Sequence, residues 1–378
     1  MAAKPVLVLS SDWHLSILSW KKHPNIARDS YYSLSQIVDL AIELNVPLIG
    51  AGDLFDKKLP PSESVIHCCN EMKRLAQAGL NMFYVQGQHE MEHKPWLSLC
   101  DNAVHLRSFG HGTGVKYFDI QGLKVCGMDI EFNPEVFNIK LKELHSDALR
   151  EKHDLFVTHQ VWGDFVKKSV EPYLLKNATF AKVLYTGDFH GSAVLNIDGT
   201  TCVSSGSINM QANNEPPYKT VFVLYDDLSL KEVDIKTRPF IHFEVKNDEA
   251  LKYVMDTDKT ELLKQWKHKN LPTEIRTPLI VIKYQNDIPN AYASLEEKFR
   301  DWNYELNGLD FSSTEMTMAA DRAELRTLID ISDCVSQFVP PDSVTHSDAV
   351  RVFNSSDVES ELKSMRKEHL EKGVSHVS

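Results

Sequence analysis

The sequence predicts an α/β fold, a two-sheet α+β sandwich flanked by helices. Three observations lead there. Strand-sized apolar runs alternate with amphipathic helical stretches through the first ninety residues. Short alternating strands follow one another between residues 193 and 236. Successive apolar runs also stop at Asp or His. That gathers reactive side chains at the carboxyl ends of strands, where an open α/β sheet forms its ligand crevice.

A strand from Pro5 through Ser11 runs into Asp12-Trp13-His14. Residues Asp29 to Glu43 read as a helix, with Leu34, Ile37, Val38, Ala41 and Leu44 on one face. The run Val46-Pro47-Leu48-Ile49-Gly50 is a short buried strand that ends in Gly52-Asp53. A second helix starts after Pro60-Pro61, with Ser62 as N-cap, Val65, Cys69, Met72 and Ala76 as its buried stripe, and Gly79 at its end. Met82 to Val85 is the next strand and leads into Gly87-Gln88-His89-Glu90. This β-α-β-α-β order implies parallel strands with right-handed crossovers.

Further strands are expected at Leu123 to Met128, at Asp154 to Thr158 before His159, and at Ala181 to Thr186 before Gly187-Asp188-Phe189-His190. Those at Ala193 to Ile197, Thr201 to Ser204, Thr220 to Tyr225 and Lys231 to Lys236 suggest an antiparallel flank closing the two sheets. The pattern changes at Arg238-Pro239. Residues 239–310 mix helix (Glu249 to Met255, Thr260 to His268) with a strand, Leu279 to Tyr284, and read as a small α+β second domain. Residues 311–378 read as helical and polar, with a last apolar stripe of Val358, Leu362 and Met365.

Composition bounds the function. The chain has 378 residues, 42% hydrophobic and 25% charged, as in an ordinary globular protein. No apolar run is long enough to span a membrane, and the early first strand leaves no room for a signal peptide. The six cysteines show neither a C-x-x-C pair nor zinc-finger spacing, which fits reduced thiols and a cytoplasmic location, host cytoplasm for a viral protein. A formal net charge of −12 argues mildly against nucleic-acid binding. A carboxylate-rich metal site accounts for part of it, because bound cations restore positive charge locally.

The candidate site residues are Asp12, His14, Asp53, Gln88, His89, His159, Asp188 and His190. Each follows an expected strand, so all should project into one crevice. Taken singly, Asp12 and Asp53 read as turn residues and His159 as a structural histidine. Mixed Asp and His ligands suit Mn, Fe or Zn better than Mg alone. Two metals about 3.5–4 Å apart commonly share a carboxylate and clamp an in-line phosphoryl displacement. The central Asp53 is the natural bridge. Lys21-Lys22, Lys57-Lys58 and Lys167-Lys168 either touch phosphates near the crevice or are solvated surface, the blander reading being the commoner.

In its order Asp12-Trp13-His14, Gly52-Asp53-Leu54-Phe55-Asp56, Gly87-Gln88-His89-Glu90, His159 and Gly187-Asp188-Phe189-His190, the chain resembles the calcineurin-like metallophosphoesterase superfamily. The resemblance spans residue 6 to about residue 225. Within the superfamily it is most similar to the SbcD-type nuclease subunit of double-strand-break repair, whose P-G-S turn is matched by Ser205-Gly206-Ser207-Ile208. The resemblance implies a metal-dependent DNA exonuclease and endonuclease. Asp12, His14 and His190 would hold one divalent metal, Gln88, His159 and Asp188 the second, and Asp53 would bridge. His89 would be the catalytic histidine, and a water activated by the ions the nucleophile. It further implies residues 1–238 as nuclease domain, 239–310 as a domain capping the DNA, and 311–378 as helices gripping an SMC-like ATPase of the SbcC type. DNA ends would be the substrate, with dimerisation through helices near residues 62–110.

Two residues depart from the superfamily pattern: Gln88 stands for Asn and Asp188 for the first His of G-H-x-H. Both fall on the second metal and make it harder and more negative, which favours Mn, with Mg as alternative, over Zn. The same departures also admit a weak second site. Two other functions stay open. One is a phosphatase or small-molecule phosphodiesterase of the same superfamily, although Lys57-Lys58 stands where protein phosphatases carry Arg-Gly. The other is a catalytically weak DNA-binding scaffold.

Overall fold

The computed structural model describes residues 3–309, apart from 17–19, 21, 24, 110–114, 150–151, 167–171 and 213. The expected C-terminal helices, with Val358, Leu362 and Met365, lie outside the described residues, as do Lys21, Lys167-Lys168 and Cys334. Residues 1–284 and 290–307 form one compact unit. Of the other, 285–289 with 308–378, only residues 285–289, 308 and 309 are described.

The alternation of apolar residues builds two sheets that face each other. Strands β1 (Pro5–Ser10), β2 (Leu48–Ala51), β3 (Met82–Val85) and β4 (Ala103–His105) lie side by side and parallel. Strands β5 (Phe118–Ile120), β6 (Leu123–Met128), β7 (His153–His159), β8 (Ala181–Gly187), β9 (Ala193–Ile197) and β10 (Thr200–Ser204) make the second sheet, ordered β5-β6-β7-β8-β10-β9. The hairpin β11 (Lys219–Tyr225) and β12 (Leu230–Ile235) returns to the first sheet and pairs antiparallel with β1, giving the order β12-β11-β1-β2-β3-β4. The expected antiparallel flank is thus split, β9 closing one sheet and β11-β12 the other.

Period-two patterning decides which face each residue takes. Leu7, Leu9, Ile49, Ala51, Phe83 and Val85 meet Leu155, Val157, Val183, Tyr185 and Val203 in the layer between the sheets. Their neighbours Val8, Leu48, Met82 and Tyr84 turn outward and pack with helices α1 (Asp29–Leu44) and α2 (Ser62–Gln77). Phe156 and Leu184 turn to the outer face of the second sheet, against α3 (Pro134–Ala148). Asn133 caps α3 by accepting from the amides of Glu135 at 2.9 Å and Val136 at 3.3 Å, with Pro134 in the first helical position. This start signal was present in the sequence and went unread.

Helix α2 departs from expectation at two points. Ser62 is its first residue, and Pro61 holds the cap position with no side-chain cap bond. Its buried face carries Ser64, Cys68, Glu71, Met72 and Leu75, while Val65 and Cys69 are half-buried and Ala76 is exposed. The cause is polar. Ser64 bonds the Tyr31 hydroxyl at 2.9 Å and Glu71 accepts from Ser35 at 2.8 Å, which turns the helix toward α1. Cys68, Cys126 and Cys202 are buried free thiols, whereas Cys69 and Cys100 are half-buried.

Beyond Arg238 the chain forms a three-stranded sheet ordered β13 (Phe240–Val245), β14 (Leu279–Gln285), β15 (Asn303–Leu309). With it go α4 (Asp248–Asp256), α5 (Lys259–Gln265), α6 (Thr273–Arg276) and α7 (Ala291–Phe299). The boundary expected at residue 238 falls on a buried side chain that ties the stretches together. Arg238 donates from Nε and Nη2 to both oxygens of Asp29, at 2.7 Å each, and from Nη1 and Nη2 to the carbonyls of Thr277 and Glu274. A buried pair loses more from removal of one partner than it gains by forming, because the other charge is left desolvated. Arg238→Ala is expected to cost about 3–5 kcal/mol in urea unfolding of the full chain, and the pair replacement Asp29→Asn with Arg238→Met clearly less. Equal losses would show that packing, not the ion pair, holds this joint.

Among the described residues no helix is long and apolar enough to cross a membrane.

Candidate metal centre

The cleft opens where β1, β2 and β3 of one sheet and β7 and β8 of the other deliver their carboxyl ends. The backbone there is sharply bent. Asp12, His14, Asp53 and Asp188 all have positive φ, between 41° and 72°, a region most side chains avoid. Such conformations cost of order 1–3 kcal/mol each and persist where the surrounding structure over-determines them. Two glycines make the closeness possible. A Cβ on Gly87 would collide with the Asp53 carboxylate, and one on Gly52, itself at φ +82°, with the His159 ring.

Asp53 sits at the centre, fully buried. Its Oδ1 accepts from the His89 amide at 2.9 Å. Its Oδ2 lies 3.3 Å from His159 Nε2, 3.6 Å from His14 Nε2 and 3.8 Å from His89 Nε2. Asp12 lies beside it. The Asp12 carboxylate accepts from the Asp188 amide at 3.1 Å and faces His190 Nε2 at 3.7 Å. Asp188 Oδ1 is 3.9 Å from His159 Nε2 and accepts from Gln88 Nε2 at 2.8 Å. All eight residues singled out in the sequence are therefore linked through a single cleft. Lys57 and Lys58 are exposed, and Lys22 is exposed and pairs with Glu305.

Three of the four histidines share one arrangement, a hydrogen bond from Nδ1 to a protein acceptor. His159 Nδ1 donates to the Ala51 carbonyl at 2.6 Å, and His89 Nδ1 to the Asp56 carbonyl at 3.0 Å. His190 Nδ1 donates to Glu215 at 2.6 Å, and His14 Nδ1 stands 3.3 Å from Asp56 Oδ1. An acceptor at Nδ1 fixes the proton there and turns Nε2, lone pair outward, into the cleft. Both ring nitrogens of His14, together with His159 Nε2, Asp53 Oδ2 and Gln88 Oε1, are buried without a hydrogen-bond partner among the described residues. Orphaned buried acceptors converging this closely are costly unless a cation satisfies them. Asp12, His14 and His190 offer ligand atoms within 4.8 Å of one another, as do Asp12, Asp53 and His159, and His14, Asp53 and His89. The donor set fits divalent metal ions.

The electrostatics agree. Burial alone would push the His159 imidazole down, but Asp53, with Asp12 and Asp188 behind it, holds it well above its ordinary value. Burial opposes ionisation of Asp53 too, and His159 and His14 outweigh it, so its carboxyl stays ionised far below the usual range. Asp12 is raised, chiefly by burial. A cation entering this cluster replaces protons, which is the usual linkage between ligand ionisation and metal affinity. Glu90 is buried beside the cluster and accepts from the Gly87 amide at 3.0 Å. Burial and the Asp53 charge push it up to about 8.

Two supporting residues have no signal in the sequence, and a third stands in a motif with no role assigned to it. Glu215 and Lys219 stand outside every motif, yet Glu215 holds His190 and receives Lys219 Nζ at 2.7 Å, Ser207 Oγ at 3.0 Å and the Gln211 amide at 3.1 Å. Burial raises Glu215, but His190 and Lys219 bring it down to about 2. Lys219 is 2% exposed, its ammonium bonded to Ser207 as well. Asp56 closes the Gly52–Asp56 motif, and its carbonyl orients His89 while its carboxylate stands 3.3 Å from His14 Nδ1. Partners of this kind commonly contribute 10–100-fold to metal affinity. Glu215→Ala is expected to weaken Mn binding by about that factor, and Glu215→Gln by less. A Mn titration followed alongside thermal unfolding checks this, and unchanged Mn affinity in a folded Glu215→Ala would remove Glu215 from the site.

No family model matches the chain. A stretch of 96 residues is 34% identical to the DNA double-strand break repair protein Mre11 of Sulfurisphaera tokodaii, covering 24% of either chain. The protein of that name from Methanosarcina acetivorans is 23% identical over 257 residues, 63% of this chain and 40% of its own length. That from Haloferax volcanii is 24% identical over 260 residues, 66% of this chain and 56% of its own. The chain thus matches less than two thirds of the length of these relatives.

Proposed function

Taking the chain as one that resembles an SbcD/Mre11-type metallophosphoesterase, we propose that it is a metal-dependent phosphodiesterase that degrades DNA ends. The observation that carries the reading is the convergence of His14, His89 and His159 on Asp53, with Asp12 and His190 grouped beside them and the facing atoms of His14, His159 and Asp53 left unsatisfied. In this reading Asp12, His14 and His190 would hold one ion, Gln88, His159 and Asp188 the other, and Asp53 would serve both. Mn is the ion expected, with Mg as alternative. Bound ions of this kind polarise the phosphate and lower the pKa of a water nucleophile.

The chain's own side chains do the rest. Glu215 and the Ala51 carbonyl keep His190 and His159 in the right tautomer. The two-sheet frame keeps Asp53 from turning. His89 differs from His14 and His159 in being 41% exposed, with Nε2 toward Asp53 and the solvent. That position suits a group that meets the substrate and protonates or steadies the leaving oxygen.

DNA as substrate is supported by the motif resemblance and by the relatives' names. The motif resemblance alone supports a partner ATPase of the SbcC type, which residues 311–378 would grip while 239–310 cap the DNA. Ile66 and Leu99, both exposed, support a homodimer contact in the 62–110 region. The charge balance lends DNA no support. The test is release of label from an end-labelled linear duplex with Mn, with Mg and with chelator, alone and with the ATPase and ATP. Bis-(p-nitrophenyl) phosphate serves as a parallel small substrate. Metal-dependent loss of end label supports the reading. Hydrolysis of the small diester with no attack on DNA under any condition replaces it with a small-molecule phosphodiesterase.

A further inference from the structure

Gln88 and Asp188 are the two positions where the motif pattern breaks, and the structure brings them into contact. Gln88 Nε2 donates to Asp188 Oδ1 at 2.8 Å. A carboxylate accepts and never donates, so it can take only the NH2 end of the amide. The other end, Oε1, is then turned away, and it is a buried oxygen with no hydrogen-bond partner among the described residues. Asp188 is itself fixed. Its backbone stands at φ 72° and its amide is bonded to both oxygens of Asp12, at 3.1 and 3.2 Å. The backbone that carries the clamp on Gln88 is therefore anchored to the Asp12 carboxylate.

We infer that Gln88 and Asp188 are one coupled unit, in which the Asp188 carboxylate holds the longer Gln88 amide with its carbonyl oxygen presented to the second divalent cation. The inference rests on the two-ion reading of the cleft and deepens it. Gln88 has one more rotatable bond than Asn, and a free amide presents NH2 as readily as C=O. The carboxylate removes that ambiguity. A neutral imidazole at position 188 offers either a bare nitrogen or an N–H, so it would not select the same end of the amide. Each departure from the pattern thus makes the other tolerable. Together they give the second ion two hard oxygen donors.

The experiment is a Mn titration of the full chain, followed by loss of free-Mn signal in electron paramagnetic resonance, which counts ions and their affinities without reference to catalysis. Gln88→Asn and Asp188→His are each expected to weaken the second ion by about tenfold or more, as loss of an orienting partner does. The double variant is expected to recover to within about threefold of the natural protein, the signature of coupled sites. The first ion should bind all four proteins alike, which also shows that each is folded. Losses that multiply in the double variant, or a single variant with no loss, overturn the coupling. If Asp188→His does not fold, Asp188→Asn with Gln88→Leu supplies the cycle, and a double loss equal to the product of the single losses overturns the coupling in the same way. A natural protein that binds a single Mn, or none, refutes the two-ion reading itself, an outcome distinct from the failure of the coupling.

Discussion

Replacement of His89 by Ala is expected to slow degradation of DNA ends by a factor on the order of 10²–10⁴, the usual range for a lost proton-transfer group. Mn affinity should stay within about twofold. The backbone argues for that separation. The bond from residue 89 to Asp53 Oδ1 comes from the main-chain amide and survives the substitution. What is lost is an exposed ring, edge-on to His14 at 4.7 Å between centroids, with its Nε2 toward the cleft. Such a loss lowers kcat with little change in KM. The opposite outcome is informative as well. His14, Asp53 and His89 are near enough to hold an ion together. If Mn affinity falls in step with rate, His89 is a ligand and the leaving oxygen is served by something else.

Asp53→Asn should be the most damaging conservative change in the chain. Asn keeps the volume and the acceptor for the His89 amide, so the backbone has no reason to move. It removes the one negative charge that three imidazoles approach within 3.8 Å. Bound ions contribute several kcal/mol of transition-state stabilisation, and each 1.36 kcal/mol is tenfold. A loss on the order of 10³ or more in rate is therefore expected, with tight binding of both ions lost together. Calorimetric Mn titration reads the second part directly. Survival of one tight ion would mean that Asp53 serves a single site and does not bridge.

The sheet frame was legible because period-two alternation and strand-ending Asp and His are local signals. The β1-α1-β2-α2-β3 order needs only neighbours in sequence to be read. The stripe of α2 was misjudged by one residue because its orientation is set by Tyr31 and Ser35 of α1, a contact no local pattern announces. Strands β13 and β15 carry no local signal because each pairs with β14 across an intervening helical stretch. The eight candidate residues could be found because each ends a strand. Glu215, Lys219 and the Ala51 carbonyl could not, for a different reason. Their role is to hold another side chain, and the distance from residue 159 to residue 51 along the chain hides a 2.6 Å contact in space.

That contact also says how the two sheets keep their alignment. Apolar layers adhere without direction, so a face of Leu, Val and Ile on its own would tolerate sliding. The bond from His159 on β7 to Ala51 on β2, with Asp53 beside it, works like a dowel through two boards. Adhesion and alignment are thus supplied by different residues. Trimming a side chain in the layer, such as Val157, should loosen the glue and leave the joint square. Disturbing the dowel should leave the glue intact and let the two strand-end rows, each carrying half of the cleft, drift out of true.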